Sequence, residues 1–334
     1  MKGFSSTLKE LFADRRVVIA GDAVADQFLL GTIERISREA PVFILRHDET
    51  TTLPGGAANA AANVASLGGH PILIGVTGRD DHGEKLRASL AEAGVGCEML
   101  VSSDNVTTTT KTRVLAGQYY ASRQQVVRID YENRGELGVD VRHQLRANLM
   151  TAAEDADAII VSDYNYGVAD IELFTTAREI ARRRDIPLLI DSRFRLGDFA
   201  GATTATPNSD EVEQVLGKQF SAEDCDGLRK QLGLESMLVT CGNKGVLLTE
   251  RNQPPLAIKA VGSDVPVDVT GAGDTVIAAF ALSLAAGLSC ADAARMANHA
   301  GGIVVMKKGT ATVSIEELGR SLATEDVLSY GAEQ

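Results

Sequence analysis

The sequence contains no tryptophan and only 4% aromatic residues, so an aromatic platform for stacking single-stranded nucleic acid has little to be built from. Positive charge is also scarce. Its 33 Lys and Arg residues face 45 Asp and Glu, a formal net charge of −12. Non-specific binding to DNA or to an anionic membrane needs a basic surface, so neither is expected as a partner. A small anionic substrate remains compatible wherever cations concentrate locally. No apolar run approaches the ~20 residues of a membrane span. The charged start, Met1 to Arg16, reads as a helix rather than an apolar signal core. Cys97, Cys225, Cys241 and Cys290 form no Cys-x-x-Cys pair, which leaves neither a zinc knuckle nor a redox motif and points to a reducing, cytoplasmic setting. The His residues lack ligand spacing, so a protein-built transition-metal site is not expected. Gly-x-x-x-x-Gly-Lys-Ser/Thr is absent, which disfavours a P-loop enzyme. Gly271-x-Gly273 lacks the third glycine of a dinucleotide fingerprint, which disfavours an NAD-dependent enzyme.

What is present alternates. Val17–Ala20, Ile72–Thr77, Ala158–Ser162, Leu188–Asp191, Thr203–Thr206 and Leu238–Thr240 read as buried strands. Between them Ala57–Leu67, Glu84–Glu92, Ile171–Arg184, Ala222–Leu232, Asp274–Ala286 and Ala291–Val305 read as helices. Such alternation predicts an α/β fold with a doubly wound, mainly parallel sheet and helices on both faces, in a single domain over residues 1–334. Two regions break the rhythm. Phe28–Thr50 and Val106–Glu132 alternate polar and apolar residues with period two, which predicts a small antiparallel sheet. Ligands bind at the carboxyl ends of strands in such folds, so this second sheet is expected to form a lid over the site.

The strongest chemical signal is Asp268-Val269-Thr270-Gly271-Ala272-Gly273-Asp274, followed at once by a helical run. Small residues let the backbone turn sharply and present amides, and the helix start adds its positive dipole end. The amides around Gly271, Ala272 and Gly273 are therefore expected to stabilise charge developing on a transferring phosphoryl group. Asp274 is expected to accept a hydroxyl proton. An Asp that merely caps a helix is the structural alternative. Gly55-Gly56-Ala57-Ala58-Asn59 opens an Ala-rich helix and suits close approach of a ligand, or tight helix packing. Asp22 and Asp26 follow the first expected strand, where carboxylates could accept hydrogen bonds from a polyol. Lys111, Arg113, Arg123 and Arg128 place four cations in the lid of an acidic chain, an arrangement suited to a substrate phosphate. A solvated strand face would also explain them.

Together, Gly55-Gly56-x-x-Asn59 and the segment ending in Asp274 resemble the ribokinase, or phosphofructokinase B, family over nearly the whole chain. The resemblance implies a kinase using ATP and Mg²⁺. It assigns Asn208 and Glu211 of Asn208-Ser209-Asp210-Glu211 to organising Mg²⁺ around the phosphates, Glu211 acting through water or phosphate. It assigns Thr240, Gly242, Lys244 and Gly245 to the nucleotide, Asp268 and Thr270 to the cofactor region, and a K⁺ ion to the neighbourhood of Asp268. Asp26, Gly55, Gly56, Asn59, Lys111, Arg113, Arg128 and Asp163 are then the expected substrate-binding residues. Within the family, Arg35–Val42, Thr110–Val114, Arg128–Glu132, Ser162-Asp163-Tyr164 and Gly309–Val313 are similar to the kinases of D-glycero-D-manno-heptose 7-phosphate, which serve lipopolysaccharide synthesis. The chain departs from that branch at Arg38, at Ser192-Arg193, at Tyr166 and in a longer Gly117–Ser122 segment. A kinase of a neutral sugar or nucleoside, or a non-catalytic sugar- or nucleotide-binding regulator, stays open beside it. Apolar lid residues such as Val42, Ile44 and Val114 are expected to be exposed and to pair subunits into a homodimer.

Overall fold

A run such as Val17-Val18-Ile19-Ala20 is apolar on both of its faces, which suits a strand covered by helices on either side. The computed structural model describes residues 2–331 except 119–122, 134–135, 218 and 264, and the side chains from residue 5 to 324. Its strands are β1 (Arg16–Gly21), β2 (Ala23–Ile36), β3 (Phe43–Gly56), β4 (His70–Gly78), β5 (Leu100–Ser103), β6 (Thr110–Gly117), β7 (Gln124–Tyr131), β8 (Ala158–Asp163), β9 (Leu188–Ser192), β10 (Thr204–Ala205), β11 (Ser236–Thr240), β12 (Val246–Glu250) and β13 (Leu256–Ile258). Its helices are α1 (Lys2–Phe12), α2 (Ala57–Ser66), α3 (Asp81–Glu92), α4 (Val139–Ala152), α5 (Ile171–Arg184), α6 (Ser209–Leu216), α7 (Ala222–Gln231), α8 (Ala272–Ala285), α9 (Cys290–Val304) and α10 (Ile315–Gly331).

Nine strands form the main sheet in the order β5-β4-β1-β8-β9-β10-β11-β12-β13. All neighbours from β5 to β11 are parallel, and the β11–β12 and β12–β13 pairs are antiparallel. The strand pleat sorts side chains between two cores. Val17, Ile19 and Ile160 pack with α2, α8 and α9 on one face. Val18, Ala20, Ile159 and Val161 pack with α4, α5 and α7 on the other. Every strand and helix named from the sequence is present. Not expected from the sequence are α4, whose buried stripe is only Leu145, Leu149 and Ala152, the helices α6 and α10, and the short strands β5, β12 and β13.

The lid is a separate four-stranded sheet in the order β3-β2-β6-β7. It is mixed rather than antiparallel throughout. Hairpins β2–β3 and β6–β7 are antiparallel, but β2 and β6 run parallel where the two insertions meet. Its strands also reach further than the period-two pattern suggested, from Ala23 and up to Gly56. Asp26 and the Gly55-Gly56 pair thus stand on strands that run directly into the site, not in loops. The exposure expected of the lid apolar residues holds for Val42, whereas Ile44 is half-buried and Val114 is buried against the lid's inner neighbours. Tyr119 to Ser122, within the long lid segment, lie outside the described residues.

Candidate active site

The chain leaves β8 and β9 at their carboxyl ends through Tyr164 and Arg193, and leaves β10 and β11 toward Asn208 and Gly242. All four border one cavity of about 940 Å³. Asp26, Lys111, Arg113, Gln125 and Arg128 of the lid close one end of it. Thr240, Gly242, Lys244 and Gly245 border the other end, where the 3₁₀ turn Gly242–Lys244 joins β11 to β12. Thr270, Gly271, Ala272, Gly273 and Asp274 form its floor.

Asp274 occupies the first turn of α8, where the unpaired amides of a helix start favour negative charge. Gly271 caps that helix with φ 78°, and a Cβ there would stand 2.5 Å from the Asn59 side-chain nitrogen. Only glycine satisfies both constraints. The Ala272 amide, expected to face a phosphoryl group, donates to the Val269 carbonyl at 3.2 Å. Asp268 holds the loop from below. Its two oxygens accept the amides of Thr270 and Gly309, each at 2.9 Å. Burial acts to raise the Asp268 carboxyl, but those amides outweigh it and hold it below the usual range. With both oxygens so engaged, the geometry adds nothing specific for K⁺ at Asp268.

The Asp274 carboxylate is gripped from two sides. Asn59 Nδ2 donates to Oδ2 at 3.0 Å, and the Tyr164 hydroxyl donates to Oδ1 at 2.8 Å. Burial lifts the Asp274 carboxyl to about 6 against the opposing effect of those two bonds, and neighbouring Asp26 adds to the rise. Asn59 is itself fixed by Asn63, which donates to its Oδ1 at 3.1 Å and accepts the Val313 amide at 3.2 Å. The structure thus turns Asn59 to the carboxylate and away from the cavity wall. Gly55 likewise lies behind the wall, because a Cβ there would strike the Asp26 carboxylate.

Asp163, expected at the substrate, is not on the cavity. It is buried and accepts from Arg195 Nη2 at 2.6 Å and from the Ser192 hydroxyl at 2.7 Å. Those bonds shape the loop that presents Arg193. Asp22 has a comparable role. Its buried carboxylate accepts the amides of Tyr164, Tyr166 and Val168 at 2.8, 3.0 and 3.1 Å and holds the turn after β8.

The lid cations divide into paired and unpaired. Arg113 pairs with Asp26, and Arg128 grips Asp130 through two bonds of 2.8 and 2.7 Å. Arg123 pairs with Asp48 at 2.7 Å, on the lid surface and outside the cavity wall. Among the described residues the Lys111 ammonium and the Arg193 guanidinium form no ion pair, and both line the cavity. Burial and then the neighbouring Arg193 charge lower the Lys111 pKa.

Three residues, Asp191 on β9, Thr206 after β10 and Glu211 in α6, bear on a metal. Asp191 is pushed well above the carboxylate range by burial and by the nearby Asp274 and Glu211 carboxyls. Glu211 is raised in the same direction by burial. Its Oε2 accepts the Asn208 amide at 2.8 Å, while Asn208 caps α6 by accepting the Glu211 amide at 2.9 Å. The Thr206 hydroxyl is buried beside them, without a hydrogen-bond partner among the described residues. Among the described residues no three His, Cys, Asp or Glu groups could hold a metal by themselves. The set therefore fits a metal that arrives with phosphate ligands of its own. Tyr164, Asp191, Arg193, Asn63 and Gln125 were not read from the sequence as site residues. Asp191 and Arg193 carried a signal, since they flank Ser192, the last residue of the buried strand β9.

Similarity to known proteins bears on the family and the fold. The chain is 40% identical over 331 residues to the Bifunctional protein HldE of Aeromonas salmonicida, spanning 97% of this chain and 67% of that protein. It is 39% identical over 321 residues to the Bifunctional protein HldE of Caulobacter vibrioides, spanning 93% of this chain and 64% of that one. It thus covers about two thirds of the length of these relatives. In fold it is similar to Arabidopsis thaliana ribokinase complexed with ribose and ATP, with TM-score 0.68 and 22% identity over 94% of this chain and 98% of that one. It is also similar to Escherichia coli phosphofructokinase-2 in complex with substrates and products, with TM-score 0.74 and 19% identity over 93% and 99%. Residues 16–318 match the model of the pfkB family carbohydrate kinases, and the chain belongs to that family.

Proposed function

We propose that this carbohydrate kinase transfers the γ-phosphoryl group of ATP to a hydroxyl of a sugar phosphate, with D-glycero-D-manno-heptose 7-phosphate as the substrate. The observation that carries the reading is one cavity with Asp274 at its floor, four cationic side chains at one end and the Gly242–Gly245 turn at the other. The HldE names of the relatives at 40% and 39% identity support the heptose. They are bifunctional and longer, so the proposal covers a kinase activity alone.

In the proposed reaction the sugar hydroxyl loses its proton to Asp274 as its oxygen bonds to the γ-phosphorus. The bond from that phosphorus to the bridging oxygen of ADP breaks, and ADP leaves with the electron pair. The start of α8 from Gly271 to Asp274 faces the charge that spreads over the phosphoryl oxygens. Mg²⁺, when bound with the phosphates, neutralises their charge. Asp191, Glu211 and the Thr206 hydroxyl would hold it through its waters, and Asn208 fixes Glu211 in place. Asp26 and Gly56 would border the sugar. Lys111 and Arg193 carry the free positive charge for a phosphate, with Arg113 and Arg128 behind them. K⁺ near Asp268 belongs to the proposal by family resemblance.

The neutralisation of Arg113 by Asp26 and of Arg128 by Asp130 favours a second reading, a neutral sugar. ADP release with ATP and Mg²⁺ across heptose 7-phosphate, other sugar phosphates, neutral hexoses, ribose and nucleosides separates the two, with and without K⁺. Turnover confined to phosphorylated sugars supports the first reading, and turnover confined to neutral ones supports the second. The absence of ATP turnover on the whole panel, with nucleotide or sugar still bound, would point to a binding regulator instead.

We also propose a homodimer through the lid. Ile36, Val42, Phe43, Val126, Val127 and Ile129 are each more than two-fifths exposed there. The edge strand β7 also leaves backbone groups unpaired on its outer side. A monomeric mass at micromolar concentration would exclude it.

A further inference from the structure

Tyr164 lies where three parts of the cavity meet. Its backbone amide is held by the Asp22 carboxylate at 2.8 Å, so the residue hangs from a buried anchor. Its hydroxyl donates to Asp274 Oδ1 at 2.8 Å. Its ring lies under two cations, with Lys111 Nζ at 5.1 Å and the Arg193 guanidinium at 5.2 Å from the centroid. Tyr166 gives Lys111 a second ring at 5.7 Å. For Lys111 these rings take the place of an anion, since among the described residues its ammonium has no ion pair or hydrogen bond. A cation held against an aromatic face keeps its charge available to an incoming anion, whereas one already paired with a carboxylate must first exchange partners.

Resting on the kinase reading above, we propose that Tyr164 is a positioning residue for phosphoryl transfer. Its hydroxyl orients the Asp274 carboxylate toward the acceptor hydroxyl, and its ring seats Lys111 and Arg193 toward the incoming substrate phosphate. One side chain therefore sets both the proton acceptor and the cation pair. With Asn59 on Oδ2 and Tyr164 on Oδ1, the carboxylate cannot rotate, and the acceptor hydroxyl meets it in one orientation. The charged or titratable groups facing Asp274 are Asp26 from β2, Lys111 from β6, Tyr164 after β8 and Asp191 on β9. Of these only Tyr164 bonds to it directly, so loss of the hydroxyl removes a bond that stabilises the ionised form.

Two variants separate the two roles. Tyr164→Phe keeps the ring, so KM for both substrates should stay within about threefold while kcat falls roughly tenfold to a hundredfold. The acidic limb of kcat/KM should also move upward by about one pH unit. Tyr164→Leu removes the ring as well, and KM for ATP or the sugar should rise about tenfold further. Unchanged kcat and an unmoved acidic limb in Tyr164→Phe would overturn the role of the hydroxyl. Equal KM values in the two variants would overturn the role of the ring.

A readout that needs no turnover keeps this test apart from the kinase reading. In the wild-type protein, carbon NMR should show the Tyr164 ring Cζ responding at the same pH midpoint as the Asp274 carboxyl carbon. A Tyr164 signal flat through that midpoint overturns the coupling even if the variants do not fold. A shared midpoint in a protein inactive on every sugar would retain the coupling and reject the kinase reading alone.

Discussion

Asp274 combines two properties that a sequence string cannot separate, since a carboxylate at a helix start can be a cap or a base. Among the described residues its side chain caps no helix. It is gripped by Asn59 and Tyr164 and buried against the cavity floor, and burial sets its pKa at about 6. A base must be ionised to accept a proton, so kcat/KM should fall tenfold per unit below about pH 6 and level off above it. A pH–rate profile flat down to pH 5 would deny Asp274 that role. Asp274→Asn should lower kcat by about 10²–10⁴-fold with KM little changed.

The same burial affects stability in the opposite sense. Because the folded-state pKa is raised from 3.8 to about 6, the folded protein binds more protons than the unfolded chain within that window. Stability from this group is therefore full at low pH and is lost as pH rises through about 6. At pH 8 the Asn variant should melt above the wild type, by up to ~3 kcal/mol in stability, with the gap closing near pH 4. A variant that melts lower at pH 8 would show that the carboxylate is compensated by its neighbours.

At the scale of elements, the turn after β8 is held by Asp22, whose two oxygens accept three amides. The side chain of Asp22→Asn has a single acceptor oxygen, so at least one buried amide loses its partner, at about 1–3 kcal/mol. The melting temperature should fall by several degrees, and kcat should fall with it because Tyr164 hangs from that turn. Gly271→Ala is expected to cost about 1–3 kcal/mol through its positive φ and to displace Asn59 from Asp274. Its activity loss should resemble that of an Asn59 substitution. An active, equally stable alanine variant would mean that the helix start adjusts freely. The role of α2 follows from the same geometry. Its alanines permit the approach to α8, and its Asn59 and Asn63 carry a polar chain from Val313 through to the base.

For the molecule as a whole, ligand and subunit equilibria are the relevant measurements. A nucleotide that binds only the folded state at a hundred times its Kd should raise stability by about 2.7 kcal/mol, and an Asp191→Ala change should reduce that gain when Mg²⁺ is present. If the lid pairs two subunits, Val127→Lys on the exposed edge strand should halve the mass in solution and leave the α/β sheet folded. The doubly wound sheet and the two lid insertions were legible in the sequence, because periods of two and of 3.6 residues are written into which side chains are apolar. So were the helix start that carries Asp274 and its glycine turn, since backbone conformation depends on residues only a few positions apart, whereas Asn208 and Glu211, expected at a metal, also cap α6. The partners of those groups were not legible. Asn59 reaches Asp274 across 215 positions and Tyr164 across 110. Asp163 turns to Arg195 instead of the cavity, and Val114 is buried where an exposed face was expected. Local sequence determined which residues start helices, turn the chain or alternate along a strand. Only the tertiary structure decided which charges meet, because the packing of strands and helices brings together side chains that no local pattern relates.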